Sequence, residues 1–152
     1  MDDAKPRPAR AADVDAISAL VRAAYAKYVP RMETEPLPMT ADYGKAVREE
    51  QVWVLEDGGE IVAVLGLVPA ADHLLIENVA VAPARQGRGL GRKLLAFAEK
   101  QALGQGLREM RLYTAEAMSE NIVLYSRIGY RETERKTVSH IPRVYMRKRL
   151  SG

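Results

Sequence analysis

Arg85-Gln86-Gly87-Arg88-Gly89-Leu90-Gly91 sets three alternate glycines among arginines, between an apolar run ending at Val81 and a stretch of helical periodicity from Gly89 to about Gln105. A strand, a glycine turn and a helix in that order predict an anion site. Glycine has no Cβ to hold a ligand off the backbone and accepts positive φ, so successive N–H groups can converge on one point. The helix then adds unpaired N–H groups and the positive end of its macrodipole. Arg85, Arg88, Arg92 and Lys93 are expected to surround the same point with full charges.

Two other glycine motifs are excluded by single residues. A dinucleotide-binding G-x-G-x-x-G aligned on Gly87 and Gly89 requires glycine where Arg92 stands, and its acidic residue, sought at Glu109, falls at the start of a strand. A P-loop requires Gly-Lys-Ser/Thr, and Gly91-Arg92-Lys93-Leu94 does not supply it.

The run Glu77 to Leu95 resembles the acetyl-CoA motif of the Gcn5-related N-acetyltransferases, whose loop reads Gln or Arg, two residues, Gly, one residue, then Gly or Ala; Gln86, Gly89 and Gly91 stand at those positions. Residues 121 to 130, Asn-Ile-Val-Leu-Tyr-Ser-Arg-Ile-Gly-Tyr, are similar to the family's later segment, in which a tyrosine four residues before a Gly-aromatic pair faces the cofactor sulfur. The resemblance implies a mixed α/β fold with a central twisted sheet of about seven strands, about four flanking helices, and a pair of splayed strands that form the cofactor cleft.

The element pattern along the chain agrees. Asp13 is expected to N-cap a helix whose positions Val14, Ile17, Leu20, Val21 and Ala24 follow the 3.6-residue period. An irregular Tyr28 to Met39 segment with Pro30, Pro36 and Pro38 precedes a helix at about 41–50. Val52 to Leu55 and Ile61 to Val68 flank the hairpin signal Asp57-Gly58-Gly59, and Leu74 to Val81 reads as the next strand. The glycine loop opens a helix that buries Leu90, Leu94, Phe97, Ala98 and Gln101 or Ala102. Arg111 to Thr114 is a strand, Ser119 is expected to cap a helix stopped by Gly129, and strands follow at Tyr130 to Ser139 and Val144 to Leu150. No linker or repeat interrupts this order, which predicts one domain over 1–152.

Composition narrows the chemistry. A chain of 152 residues, 47% of them hydrophobic, can bury a sizeable core, and no stretch suits a membrane span. Met1 to Pro6 lacks an apolar leader core, so the expected location is cytoplasmic. The absence of cysteine excludes disulfides, thiolate metal sites and an acetyl-cysteine intermediate. His73 and His140 are isolated, and no metal is expected. Residues 1 to 84 carry 8 Lys plus Arg against 14 Asp plus Glu, a net of −6, whereas residues 85 to 152 carry 15 against 6, a net of +9. A basic second half suits a polyphosphate cofactor; an acidic first half would favour a cationic amine, although charge on solvated helix faces gives the same balance.

The resemblance also assigns residues. It implies acetyl-CoA as cofactor, with pantetheine along the backbone of Val79, Ala80 and Val81, pyrophosphate over Gln86, Gly87, Arg88, Gly89, Leu90, Gly91 and Arg92, and a contact from Asn121. The N–H of Val79 is expected to hold the thioester oxygen. Tyr125 is the catalytic candidate, a phenol able to protonate a leaving thiolate; the alternative is a core tyrosine packed with Leu124 and Ile128. Glu77 is the first candidate for general base, with Glu116 as alternative and a solvated strand glutamate equally open. Tyr25, Tyr28, Pro30, Arg31 and Met39 are expected to line the acceptor pocket, Arg31 meeting a substrate carboxylate, unless the segment is only a packed connection. The implied activity is transfer of acetyl to a primary amine, of a small molecule or a protein, by direct attack in a ternary complex. An acyl-CoA-binding regulator without catalysis and an enzyme acting on aminoacyl-tRNA remain open, and a homodimer is allowed for.

Overall fold

The computed structural model describes residues 5–32, 37–39 and 41–151. Among these, β1 (Arg7–Pro8) leads through a 3-10 turn (Ala11–Asp13) into α1 (Val14–Tyr25), followed by 3-10 turns at Ala26–Arg31 and Leu37–Met39 and by α2 (Tyr43–Arg48). Next come β2 (Val52–Asp57), β3 (Glu60–Pro69), β4 (Leu74–Val81), a 3-10 turn (Pro83–Arg85), α3 (Leu90–Gly104), β5 (Glu109–Ala115), α4 (Ser119–Ile128), β6 (Arg131–Val138) and β7 (Ile141–Arg149). The strands form one seven-stranded sheet in the order β1-β2-β3-β4-β5-β7-β6, antiparallel everywhere except between β4 and β5. This is the mixed α/β architecture expected from the sequence.

Local chemistry explains the segment ends. Gly58 and Gly59, at φ +60° and +84°, make the two-residue turn between β2 and β3 that positive φ at both positions allows. Gly129, at φ +115°, stops α4. Asp13 departs from the expected N-cap. Its carboxylate reaches back to the Arg10 N–H at 2.8 Å and pairs with Arg7 at 2.9 Å, so the helix starts with a 3-10 turn and Asp13 ties it to β1. Ser119 likewise caps nothing; it is the first residue of α4, and its hydroxyl donates to Glu120 at 3.2 Å. Asp42 does cap α2, accepting the Lys45 N–H at 3.0 Å. Pro30 lies within the 3-10 turn that continues α1, and Pro36 lies outside the described residues.

Both sheet faces are covered. On one, Leu90, Leu94, Leu95, Ala98 and Ala102 of α3 and Tyr125 of α4 pack on β3, β4 and β5. On the other, Ile17, Leu20, Val21, Ala24 and Tyr25 of α1, with Tyr43 of α2, pack on β2, β3 and β4. Ile17 and Val21 are fully buried, each contributing ~1.5–3 kcal/mol by removal from water. Phe97 is only half-buried, against Trp53 at 5.9 Å between ring centroids, and Leu95 takes the buried place that helical period alone gave to Phe97. β6 is exposed along its length and rich in charge, which protects it as an edge strand.

Two irregularities prepare the site. β4 pairs with β3 through Gly66 opposite Asn78 but Leu67 opposite Ile76, so Glu77 is an extra, bulged residue. β4 pairs with β5 only from Leu74 to Ile76, opposite Met110 to Leu112. Beyond that point Glu77–Val81 and Tyr113–Ala115 run without a shared ladder, and the sheet opens.

Candidate functional site

The opening leads to the glycine loop. Gly87 and Gly89 adopt φ +81° and +80°, and no atom lies within 4 Å of where a Cβ would stand on Gly87, Gly89 or Gly91. The N–H groups of Gly89, Leu90, Gly91 and Arg92, at the start of α3, make no hydrogen bond among the described residues. An empty glycine surface beneath four unpaired N–H groups fits a phosphate-bearing ligand. Arg88 and Arg92 are exposed beside it. Arg85 turns the other way, bonding Asp57 at 2.5 Å and lying 3.7 Å from Glu60, because the β2–β3 hairpin offers it carboxylates. That pairing holds the Asp57 carboxyl below its ordinary range.

The β4 edge forms the wall of the cleft. The Ala82 N–H donates to Val62 O at 2.9 Å, so even-numbered residues of this segment turn their backbone groups to β3, and Val79 and Val81 turn theirs into the gap. Side chains confirm the direction: the Tyr25 hydroxyl reaches Val79 O at 3.5 Å, and Gln86 Nε2 donates to Val81 O at 3.1 Å. Lys27 Nζ in turn donates to Gln86 Oε1 at 3.3 Å. A cleft of about 410 Å³ runs from this wall past Gln86, Gly87, Gly89, Gly91 and Arg92 to Asn121 and Tyr125, with Tyr28 on its other side. Ala80 and Leu90 also contribute to its lining.

A smaller cavity of about 50 Å³ lies deeper in the splay, between Glu77, Tyr113, Thr114, Met118 and Arg143. Tyr25, Val79, Asn121 and Tyr125 border both spaces. Tyr125 is 8% exposed, packs edge-on against Tyr130 at 5.9 Å, and its hydroxyl makes no hydrogen bond among the described residues. Burial pushes its phenol up to about 12. The hydroxyl therefore holds its proton at neutral pH where the two spaces meet. Among the described residues Asn121 Nδ2 has only the Met118 sulfur, at 3.7 Å.

Sequence reasoning missed one network. Asn78, 7% exposed, accepts from the Tyr25 hydroxyl at 2.8 Å and donates to Tyr43 Oη at 3.0 Å, and the Tyr43 hydroxyl donates to Pro38 O at 2.6 Å. Burial raises the phenols of Tyr25 and Tyr43 far above the ordinary tyrosine value. The signal was an asparagine inside an apolar strand, a buried amide that must find partners.

The remaining candidates divide. Glu77 is exposed on the bulge, borders the smaller cavity, and also borders a depression of about 280 Å³ beside Asp42 and Tyr43. Tyr25 reaches the smaller cavity; Tyr28 is buried beside the larger cleft, with Lys27 and Arg31 over its ring at 5.1 and 5.3 Å. Arg31 pairs with both oxygens of Glu120, at 2.6 and 3.2 Å, and with Ala117 O at 3.2 Å, which fastens the segment after α1 to α4. That pair holds the Glu120 carboxyl down at about 2. Arg31 borders a separate hollow with Glu116 and His140 rather than the smaller cavity. Met39 packs toward α1, and its carbonyl accepts from Arg22 at 2.7 Å; Met32 and Pro38 border the smaller cavity instead. Glu116 is paired with Arg135 at 3.3 Å. Among the described residues no cluster of three metal-binding side chains occurs, and no helix is long and apolar enough to cross a membrane.

Comparison with known proteins gives a consistent result. The sequence pattern of the acetyltransferase (GNAT) domain matches residues 48–132. YjgM, an uncharacterized N-acetyltransferase of Escherichia coli (strain K12), is 33% identical over 82 residues, which are 51% of this chain and 49% of that protein. The chain spans about half the length of the curated relatives it matches. Among solved structures, the PaiA N-acetyltransferase of Thermoplasma acidophilum in complex with coenzyme A aligns with a TM-score of 0.83 and 16% identity, over 97% of this chain and 99% of that one. The ribosomal-protein-S18-alanine N-acetyltransferase of Escherichia coli aligns at 0.78 and 18%, over 98% and 95%. Both share the fold described above.

Proposed function

The chain belongs to the GNAT acetyltransferase family, and from that premise we propose that it is an acetyl-CoA-dependent N-acetyltransferase acting on a primary amine in a ternary complex. The observation that carries this is the junction of two spaces at Tyr25, Val79, Asn121 and Tyr125. One space has a phosphate-ready helix start at its far end; the other is bordered by a carboxylate. Bound in the larger cleft, acetyl-CoA supplies an acetyl thioester. The unpaired N–H groups from Gly89 to Arg92, with Arg88 and Arg92, would hold its phosphates, the outward N–H of Val81 would pair with a pantetheine carbonyl, and the backbone of Val79 would lie at the thioester.

The chain's own groups then have distinct tasks. The Val79 N–H points into the gap and serves as a fixed donor to an oxygen that gains negative charge. Glu77, on the bulge, takes a proton from the incoming ammonium, directly or through water. Tyr125 Oη keeps its proton to high pH and presents it at the junction, where a leaving sulfur needs one. Over the reaction the ammonium loses two protons, one ending on sulfur and one in solvent, while nitrogen gains the acetyl carbon. Two adjoining spaces let both reactants be held together, which itself supplies much of the rate.

Initial-rate kinetics over an amine panel test the proposal. Intersecting lines, release of coenzyme A that depends on amine, and no acetyl group left on protein incubated with acetyl-CoA alone are expected. Tight acetyl-CoA binding without turnover of any amine class would favour a regulator instead.

A further inference from the structure

Arg143 lies in the wall of the smaller cavity, on β7 opposite Ala115 of β5, and is only 9% exposed. Its guanidinium stacks over the Tyr113 ring at 4.3 Å, and Nη1 donates to Tyr145 Oη at 3.5 Å, a long bond. No carboxylate lies within 4 Å of it among the described residues. Asp13, the other buried charge among the described residues, is by contrast paired with Arg7. A guanidinium has five N–H donors, and a ring face and one long bond leave most of them unmatched in a place with little water. The neighbouring donors are in the same condition: among the described residues Thr114 Oγ1 and Asn121 Nδ2 meet only the Met118 sulfur, at 3.8 and 3.7 Å. Among the described residues this part of the wall therefore offers donors and a positive charge with one distant oxygen, Tyr145 Oη, to receive them.

Glu77 borders the same cavity with the opposite charge. Tyr113, whose phenol is raised above its ordinary value by burial, lines the cavity together with both charges, and Arg143 lies over its ring. We propose that the acceptor is an amine that also carries a carboxylate, an amino-acid-like compound, whose carboxylate lies on Arg143 while its ammonium faces Glu77. This rests on the acetyl-transfer reading above and adds to it the class of acceptor. A cavity of about 50 Å³ takes the charged head of such a compound, and the adjoining depression of about 280 Å³, bordered by Asp42 and Tyr43, takes the rest. Arg143 is thus a specificity residue, and the carboxylate role expected of Arg31 passes to it because Glu120 already holds Arg31.

The test uses a panel of amino acids, their α-amides, and the amines left when the carboxylate is removed. In the wild-type protein with acetyl-CoA, the best amino acid is expected to exceed its decarboxylated counterpart in kcat/KM by about 100-fold or more. Arg143→Met keeps the stem and should abolish that preference through KM, with acetyl-CoA affinity unchanged; Arg143→Lys should retain part of it. Calorimetry with the same amino acids, in the presence of coenzyme A, reads the anion site without turnover. Binding lost in Arg143→Met from a protein that acetylates none of the amines would uphold the anion site and count against acetyl transfer. Equal use of amines with and without the carboxylate, a wild-type preference in folded Arg143→Met, or neither binding nor turnover of any amino acid in a protein that binds acetyl-CoA would overturn the proposal.

Discussion

Gly91→Ala separates a glycine kept for a ligand from one kept for the fold, because the two roles predict changes of opposite sign. Gly91 is the second residue of α3 and has no positive φ, and the site of an added Cβ has no atom within 4 Å. Alanine is better than glycine inside a helix by ~0.8–1 kcal/mol, and near the first turn roughly half of that or more is expected. For a chain of this length, a gain of about 0.5–1 kcal/mol raises Tm by about 1–4 °C. The new methyl group would stand on the surface where a phosphate must meet the N–H groups of Gly89 to Arg92. Losing one such charge-assisted hydrogen bond costs ~1.5–3 kcal/mol, so the Kd for acetyl-CoA should rise about 10- to 150-fold. Differential scanning calorimetry and isothermal titration on one preparation read both effects. A higher Tm with unchanged affinity would refute the cradle, and a lower Tm would refute the account of how α3 begins. Gly89→Ala is a poorer probe, since φ +80° strains any side chain and the variant should lose stability as well as binding.

Four further outcomes are expected. Tyr125→Phe keeps the ring packing but removes the proton, so kcat should fall by about 10²- to 10⁴-fold with little change in acetyl-CoA affinity; wild-type turnover would return Tyr125 to a packing role. Because Tyr125 is pushed up to about 12, its proton-donating form persists in alkali, and kcat should show no falling limb below about pH 11; a limb near pH 9 would contradict the assignment. Asn78→Leu removes the 2.8 Å acceptor of the Tyr25 hydroxyl and the amide donor to Tyr43 Oη and should cost about 1–3 kcal/mol in urea unfolding, whereas a loss near zero would mean the network is idle. Arg7 holds the Asp13 carboxyl below its ordinary value, so its contribution is present above that ordinary value and disappears as pH falls through the lowered one; Asp13→Asn should cost about 1–3 kcal/mol at pH 7, and its stability curve should converge with wild type at low pH, parallel curves down to pH 2 being the contrary result.

The parts of this fold legible in sequence are those that a few neighbouring residues impose. Gly58-Gly59 admit almost no turn but the one formed, the Leu74 to Val81 run has no helical period, and Gly129 stops α4 because it alone there takes positive φ without strain. What was illegible depends on distant partners. Asp13 has the right chemistry for an N-cap, yet Arg7 and the Arg10 N–H draw its carboxylate backwards. Arg85 sits within the basic loop, but only the folded hairpin brings Asp57 to it. Arg143 looked like one of many basic residues in the second half until the sheet buried it with no counter-ion among the described residues. Asn78 stood in the quoted motif with no task, because its partners are 53 and 35 residues away.

The extra residue at Glu77 links these features. Before it, Leu74 and Ile76 face the α3 side; after it, Val79 and Val81 face that side, while Ala80 and the Asn78 amide face α1. A regular strand would have continued the even-numbered residues toward α3, placing the Asn78 amide in the apolar layer and the two valines against α1. A bulge also bends its strand, and β4 loses its pairing with β5 directly after Ile76. One insertion thus exposes a carboxylate at the apex of the gap, turns the Val79 and Val81 backbone into it, and sends Asn78 to Tyr25. Tyr25 then reaches Val79 O from the α1 side, and Gln86 reaches Val81 O from the loop. The wall therefore keeps its direction without a strand partner, because Gln86 Nε2 holds the Val81 carbonyl and Tyr25, bonded to Asn78, lies against that of Val79, and among the described residues the Val79 and Val81 N–H groups remain open to a ligand.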